Sequence, residues 1–211
     1  MAHLDLDEQE QLANLKSWWS AYGNLVVSLI AAAALGFSGW QAWRYWQAKQ
    51  SVEASTLFEN LTKALPGQDA KAVRDASGEL LEKYSGTLYA SMGALASAKY
   101  FFEKGDLKTA RAQLQWVIDK TVSEEFRDVA RLRMANILLD EKAYDDALGL
   151  LEAKHAAVFD AQYAVLRGDV LAAKGQGAEA KTAYRLALEK TDKKNSSVRD
   201  GIQMRLDALG G

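Results

Sequence analysis

The side chains able to do chemistry are few in this sequence and poorly grouped for it. Cysteine is absent, and the histidines are His3 and His155. No disulfide, thiolate nucleophile or zinc–thiolate site can form. Neither histidine has another histidine at ligand spacing, so no zinc site follows. Asp5-Leu6-Asp7-Glu8 has the oxygens of a calcium loop without its glycine or its downstream glutamate. Gly175-Gln176-Gly177 is a lone GxG that a turn between helices explains. Asp145-Asp146 and Glu124-Glu125 stand at apparent helix starts, where carboxylates favour the positive end of the helix dipole. Patterns for nucleophile elbows, HExxH helices and phosphate loops are missing. These residues predict a protein that is not an enzyme and needs no metal or cofactor.

The elements that carry them are helical. Ala, Leu, Glu, Lys, Gln and Arg dominate, and there is one proline, Pro66. Formal charge is −2, and from Gln47 onward 24 basic and 24 acidic residues are interspersed. That surface has no basic face for nucleic acid.

The first fifty residues differ from the rest. Between Lys16 and Arg44 no residue is charged. A helix over residues 21–43 would be about 35 Å long at ~1.5 Å per residue, enough for the ~30 Å hydrocarbon layer. Its Leu, Ile, Val and Phe side chains favour insertion by about 3 kcal/mol. Trp18, Trp19 and Tyr22 stand at one end, and Trp40, Trp43 and Trp46 at the other, beside Arg44. Indole rings prefer the headgroup boundary, and an arginine stem can lift its guanidinium to the phosphates. The reading is a tail over 1–20, a membrane-spanning helix over 21–43 in the lipid bilayer, and an interfacial collar over 44–50. A buried core helix would need a polar face that is missing here. A cleaved signal would need a basic leader where Asp5, Asp7, Glu8 and Glu10 stand. Basic residues flank both ends of the span, so charge does not choose its orientation. Ser28, Ala32, Gly36 and Gly39 fall on one helical face, where small residues let a second membrane helix approach.

From residue 51 to 211 the sequence repeats. Turns centred on Gly105, Lys142 and Gly175 are 37 and 33 residues apart, close to the tetratricopeptide period of about 34. Around them Ala98, Phe101, Ala110 and Leu114 align with Ala135, Leu138, Ala147 and Leu151, and with Gly168, Leu171, Ala180 and Tyr184. Small residues at the first and third of these places let paired helices touch, and large ones fill the seam. The spacing predicts an all-α fold: helix-pair repeats at about 89–122, 126–155 and 161–190. A degenerate pair over 51–84 precedes them, and a terminal helix over 197–209 follows. Stacked pairs share one continuous core. One face of each first helix would line a partner groove. It carries Met92, Leu95, Lys99 and Phe102, then Val129, Leu132, Asn136 and Leu139, then Gln162, Val165 and Asp169. That mixture suits polypeptide segments, with some of these residues packing on neighbouring helices instead.

The collar "GWQAWRYWQ", the stretch "YASMGALASAKYFFEKGDLKTARAQLQ", "LRGDVLAAKGQGAEAKTAYRLALE" and "IQMRLDAL" together resemble a known family. It is the YfgM-like ancillary subunit of the bacterial Sec translocon. The resemblance implies an inner-membrane protein with a cytoplasmic amino end and a tetratricopeptide-like periplasmic domain. It implies partners: the SecYEG channel, a membrane-anchored periplasmic chaperone of prolyl-isomerase type, and secreted polypeptides as they emerge. The alternative is an envelope scaffold or adaptor that binds one folded partner.

Overall fold

A computed structural model describes residues 6–67 and 69–210, with side-chain surroundings described from residue 10. His3, the start of the acidic tail, Gln68 and Gly211 lie outside the described residues. The regular elements among the described residues are all helices, with no strand among them. The order is α1 (Leu6–Gly67), α2 (Ala70–Lys83), α3 (Leu88–Glu103), α4 (Leu107–Lys120), α5 (Glu124–Asp140) and α6 (Tyr144–Leu151). A single 3₁₀ turn (Ala157–Phe159) precedes α7 (Asp160–Ala173), α8 (Gly177–Lys190) and α9 (Ser196–Ala208). The chain divides into two compact units, Met1–Lys49 and Gln50–Gly211.

In the first unit, every side chain from Asn24 to Lys49 except Val26 is exposed. An isolated helix with this much bare apolar surface is not a core helix of this chain. It is the one helix among the described residues long and apolar enough to cross a membrane. Trp18 meets Trp19 and Tyr22 at ring-centroid distances of 6.3 and 5.9 Å. At the other end the Arg44 guanidinium lies 4.9 Å from the centre of the Trp40 ring.

In the second unit each helix packs on the next from α2 to α9, and α3 also meets α5, and α5 meets α7. That double adjacency is the geometry of stacked helix pairs. The carboxy-terminal part of α1 joins the stack through buried Ala54 and Leu61. Phe58 lies 5.9 Å from the Tyr89 ring. Helix starts are capped by side chains: Asp69 accepts from the N–H groups of Lys71 and Ala72. Thr87, Asp106 and Ser123 cap α3, α4 and α5. Two apolar clusters fill the interior. The first runs from Ala54 to Val170, the second from Ala164 to Leu206, so both draw on α7.

The three aligned turns share one backbone device. Gly105, Lys142 and Gly175 have φ of 77°, 61° and 85°. In each, the next residue's N–H reaches back to a carbonyl five residues earlier: Asp106 to Phe101, Ala143 to Leu138, Gln176 to Leu171, at 2.8–2.9 Å. This is a Schellman closure, which needs a left-handed residue. Lys142 occupies that conformation at a cost of about 1–2 kcal/mol, partly offset by the lower unfolded-state entropy of a non-glycine residue. Lys142→Gly is therefore expected to stabilise the domain by about 0.5–1 kcal/mol, measured as a higher urea midpoint at unchanged slope. A lower midpoint would contradict it.

Candidate functional site

The helix faces expected to form a groove are partly drawn together. Lys99 and Phe102 of α3 share a cavity of ≈ 390 Å³ with Ala98, Leu114, Arg133 and Asn136. Asn136 also lines an adjoining cavity of ≈ 720 Å³ with Leu132, Gln162, Val165 and Asp169. That second cavity is completed by Val158 and Val198, both exposed, and by residues of α9. The shared Asn136 makes the two spaces neighbours on the α3–α5–α7 face. Seven of the eleven expected residues thus line the two cavities. Leu95 does not: it is 7% exposed, and it lies in the core cluster. Val129 and Leu139 are part-buried against that same cluster. Met92 is exposed, outside both linings. The physical reason is the contact of α5 with α3, which covers one strip of the face predicted to be open.

Asp169 is not free for a ligand. Its Oδ1 accepts from the Tyr184 hydroxyl at 2.8 Å and from Arg205 Nε at 3.0 Å. Ser28, Ala32, Gly36 and Gly39 are exposed on α1, and Ser28 Oγ donates to the Asn24 carbonyl. A Cβ added at Gly36 or Gly39 would meet nothing within 4 Å.

Reading by sequence missed a buried polar cluster around Asp128, which is 1% exposed on α5. Its Oδ2 accepts from the Ala156 N–H at 2.9 Å. Its Oδ1 accepts from Tyr163 Oη and Arg131 Nη1, each at 3.2 Å. The His155 ring stacks on Tyr163 at 3.8 Å, with its Nε2 3.3 Å from Asp160 Oδ1. Lys190 reaches the other Asp160 oxygen at 3.1 Å. His155 is thus a packed structural side chain. The cluster ties down residues 152–156, which follow the short helix α6. Two other joints are closed by arginines. Arg127 donates to the Ile118 and Thr121 carbonyls at the end of α4, and Arg199 to those of Leu188 and Thr191 at the end of α8. Cations there satisfy orphan carbonyls and oppose the helix dipole.

Burial, then the charge of Asp128, pushes the Tyr163 phenol up to about 12. Burial and the hydrogen bond to Asp169 raise that of Tyr184 as well. A raised folded-state value means the unfolded chain releases its proton first. The associated stability is complete below about pH 10 and is lost as pH rises towards the folded value. Tyr163→Phe should remove about 1.4 kcal/mol per pH unit from the decline in stability above pH ~10.5, read from urea titrations of both chains. An identical alkaline decline in the two would refute the assignment.

Comparison with known proteins follows the same architecture. Residues 16–211 match the family model described as a tetratricopeptide repeat-like domain, which takes in the apolar helix as well as the stack. A protein of Neisseria gonorrhoeae named "Ancillary SecYEG translocon subunit" is 30% identical over 205 residues, 97% of this chain and 98% of its own length. The chain belongs to this family. Members of the same name occur in Haemophilus influenzae, 30% identical over 86% of this chain and 89% of the relative, and in Escherichia coli, 27% identical over 96% and 97%. No solved structure matches the chain. Among its described residues this chain is thus all-α, with an amino-terminal apolar helix that fits a membrane anchor and a tetratricopeptide-like stack.

Proposed function

We propose that the chain is a non-enzymatic accessory subunit of a bacterial Sec translocon, anchored in the inner membrane by the helix over 21–43. Its amino end is cytoplasmic and its repeat domain, from residue 51, periplasmic. The domain contacts the SecYEG channel, a membrane-anchored chaperone of prolyl-isomerase type and secreted chains as they emerge. The near full-length match to relatives named as translocon subunits carries this reading. The adjoining cavities that meet at Asn136 supply a surface for polypeptide. An anchor holds that surface at ~mM effective concentration near its partners, so weak contacts suffice. The small-residue face of the anchor is the place for a second membrane helix.

Affinity purification of the full chain in mild detergent, with a photo-crosslinker at Asn136 or Val165, tests the reading. Recovery of SecYEG with crosslinks to many secreted chains supports it. Crosslinks to one folded protein alone would favour an adaptor, and loss of the channel from the purified complex would refute the translocon assignment. A reporter fused after Gly211 that works only in the cytoplasm would refute the orientation.

A further inference from the structure

One edge of the stack carries an exposed apolar side chain at each helix pair. Short links join successive helices, so the amino ends of α3, α5, α7 and α9 share an edge with the carboxyl ends of α2, α4, α6 and α8. At this edge stand Leu88, Val122, Val158 and Val198. Val52, where the chain enters the second unit, makes a fifth, and the five are 44–72% exposed. Contacts tie each place to the next. Glu53 accepts from the Tyr84 hydroxyl at 3.2 Å, and the Ser91 and Thr121 hydroxyls bond at 2.7 Å. The Ala156 N–H reaches Asp128 at 2.9 Å, and Val158 and Val198 line one cavity. Apolar residues scattered singly over a surface are ordinary, but a row with one member per pair is not scattered. The turns of the opposite edge, Lys104-Gly105-Asp106, Glu141-Lys142-Ala143 and Lys174-Gly175-Gln176, hold no large apolar side chain.

The same edge offers free cations. Lys120, Lys154, Lys193 and Lys194 are exposed and make no ion pair among the described residues. The acids of the links are Glu152 and Asp192, while Glu124 and Asp160, at the starts of α5 and α7, are engaged by Arg127 and Lys190. We propose that this edge rests on an anionic phospholipid surface, with the five apolar tips in the headgroup layer and the lysines on the phosphates. Apolar side chains that reach the acyl boundary and ammonium groups beside them are what such a surface takes. Tips about 10 Å apart, one per helix pair, give a protein partner no packed centre, whereas lipid closes around each. The lipid is within reach, because Val52 follows Trp46 by six residues, at most about 20 Å of extended chain. This inference rests on the reading that the helix over 21–43 spans the bilayer, and it adds how the repeat domain is held there. The larger cavity, which shares Val158 and Val198, then opens beside the lipid.

The chain has no cysteine, so a single introduced one can be labelled without background. The test uses the full chain in vesicles of phosphatidylethanolamine and phosphatidylglycerol. An environment-sensitive fluorophore is placed on Val122→Cys or Val158→Cys, and lipids with a nitroxide near the headgroup act as quencher. Quenching at both places is expected to exceed that at Asp146→Cys, an exposed position on the opposite edge, by at least about three-fold. Each of Lys120, Lys154, Lys193 and Lys194 changed to glutamine should lower the ratio of docked to free domain about five-fold. Exchange of phosphatidylglycerol for phosphatidylcholine should act in the same direction. Leu88→Ser, with the label at Val158, should reduce quenching without moving the unfolding midpoint. Equal quenching at all three places, or quenching indifferent to both the anionic lipid and the lysines, would overturn the inference. So would quenching that appears only when SecYEG shares the vesicle, which would make the edge a protein contact. A chain that fails to float with the vesicles would take down the membrane-spanning reading as well. Flotation with unquenched labels would remove this inference alone.

Discussion

Gly168→Ala is expected to destabilise the repeat domain by about 3 kcal/mol, although alanine is the better helix former by about 1 kcal/mol. A Cβ built at Gly168 would lie 2.4 Å from Tyr184 Cε1 and 2.6 Å from its Cδ1. The ring cannot swing away cheaply. Tyr184 is 3% exposed, and its hydroxyl is held by Asp169. The corresponding places in the earlier repeats pair Ala98 with Leu114 and Ala135 with Leu151, at the same sequence separation as Gly168 and Tyr184. A larger ring in the third repeat is thus matched by the loss of a methyl group opposite. Thermal unfolding should show a fall of roughly 6–12 °C for the single variant. The pair G168A/Y184L, which restores the alanine–leucine combination, should recover stability relative to G168A, with a favourable coupling of about 2 kcal/mol in the double-mutant cycle. Additive effects of the two substitutions would show that the close approach is not the cause.

Asp128→Ala should cost about 3–5 kcal/mol, the largest single loss expected in this domain. It strips the Tyr163 hydroxyl, Arg131 and the Ala156 N–H of their buried acceptor at once. Asp128→Asn keeps the shape and one acceptor oxygen, so its loss should be smaller, about 1–3 kcal/mol. The effect should be local before it is global. Amide exchange at Ala156 should rise in both variants, ahead of α3 and α4, because residues 152–156 lose their fastening to α5. Unchanged protection at Ala156 would mean that the segment is held by something other than this carboxyl group.

How far the sequence carried depended on the kind of signal. The turns at Gly105, Lys142 and Gly175 were legible because a helix closure needs a left-handed residue at a fixed place, and that recurs at a countable spacing. The lysine weakened the pattern without hiding it. The small–large pairs were legible for the same reason. The end of α6 at Leu151 was not, since "EAKHAA" reads as helix and holds no glycine or proline to stop it. What ends it is Asp128, an acceptor on another helix, and Asp128 with Arg131 three residues later reads as an ordinary surface pair. The groove was half legible. A 3.6-residue period identifies a face but not how wide a strip the next helix covers, so Leu95 was placed with Phe102 on a face where only Phe102 is bare.

The way the two apolar clusters meet bears on how the domain breathes. Val170 belongs to the first and Leu171 to the second, so α7 serves both, and Leu148 is packed against each. Helices α8 and α9 can then detach as one cooperative block while the interior from Ala54 to Leu151 stays dry. The tail of the stack carries the far wall of the larger cavity. Release of that block would widen the cleft from its carboxyl-terminal side, admitting a bulky chain sideways without threading it end-on.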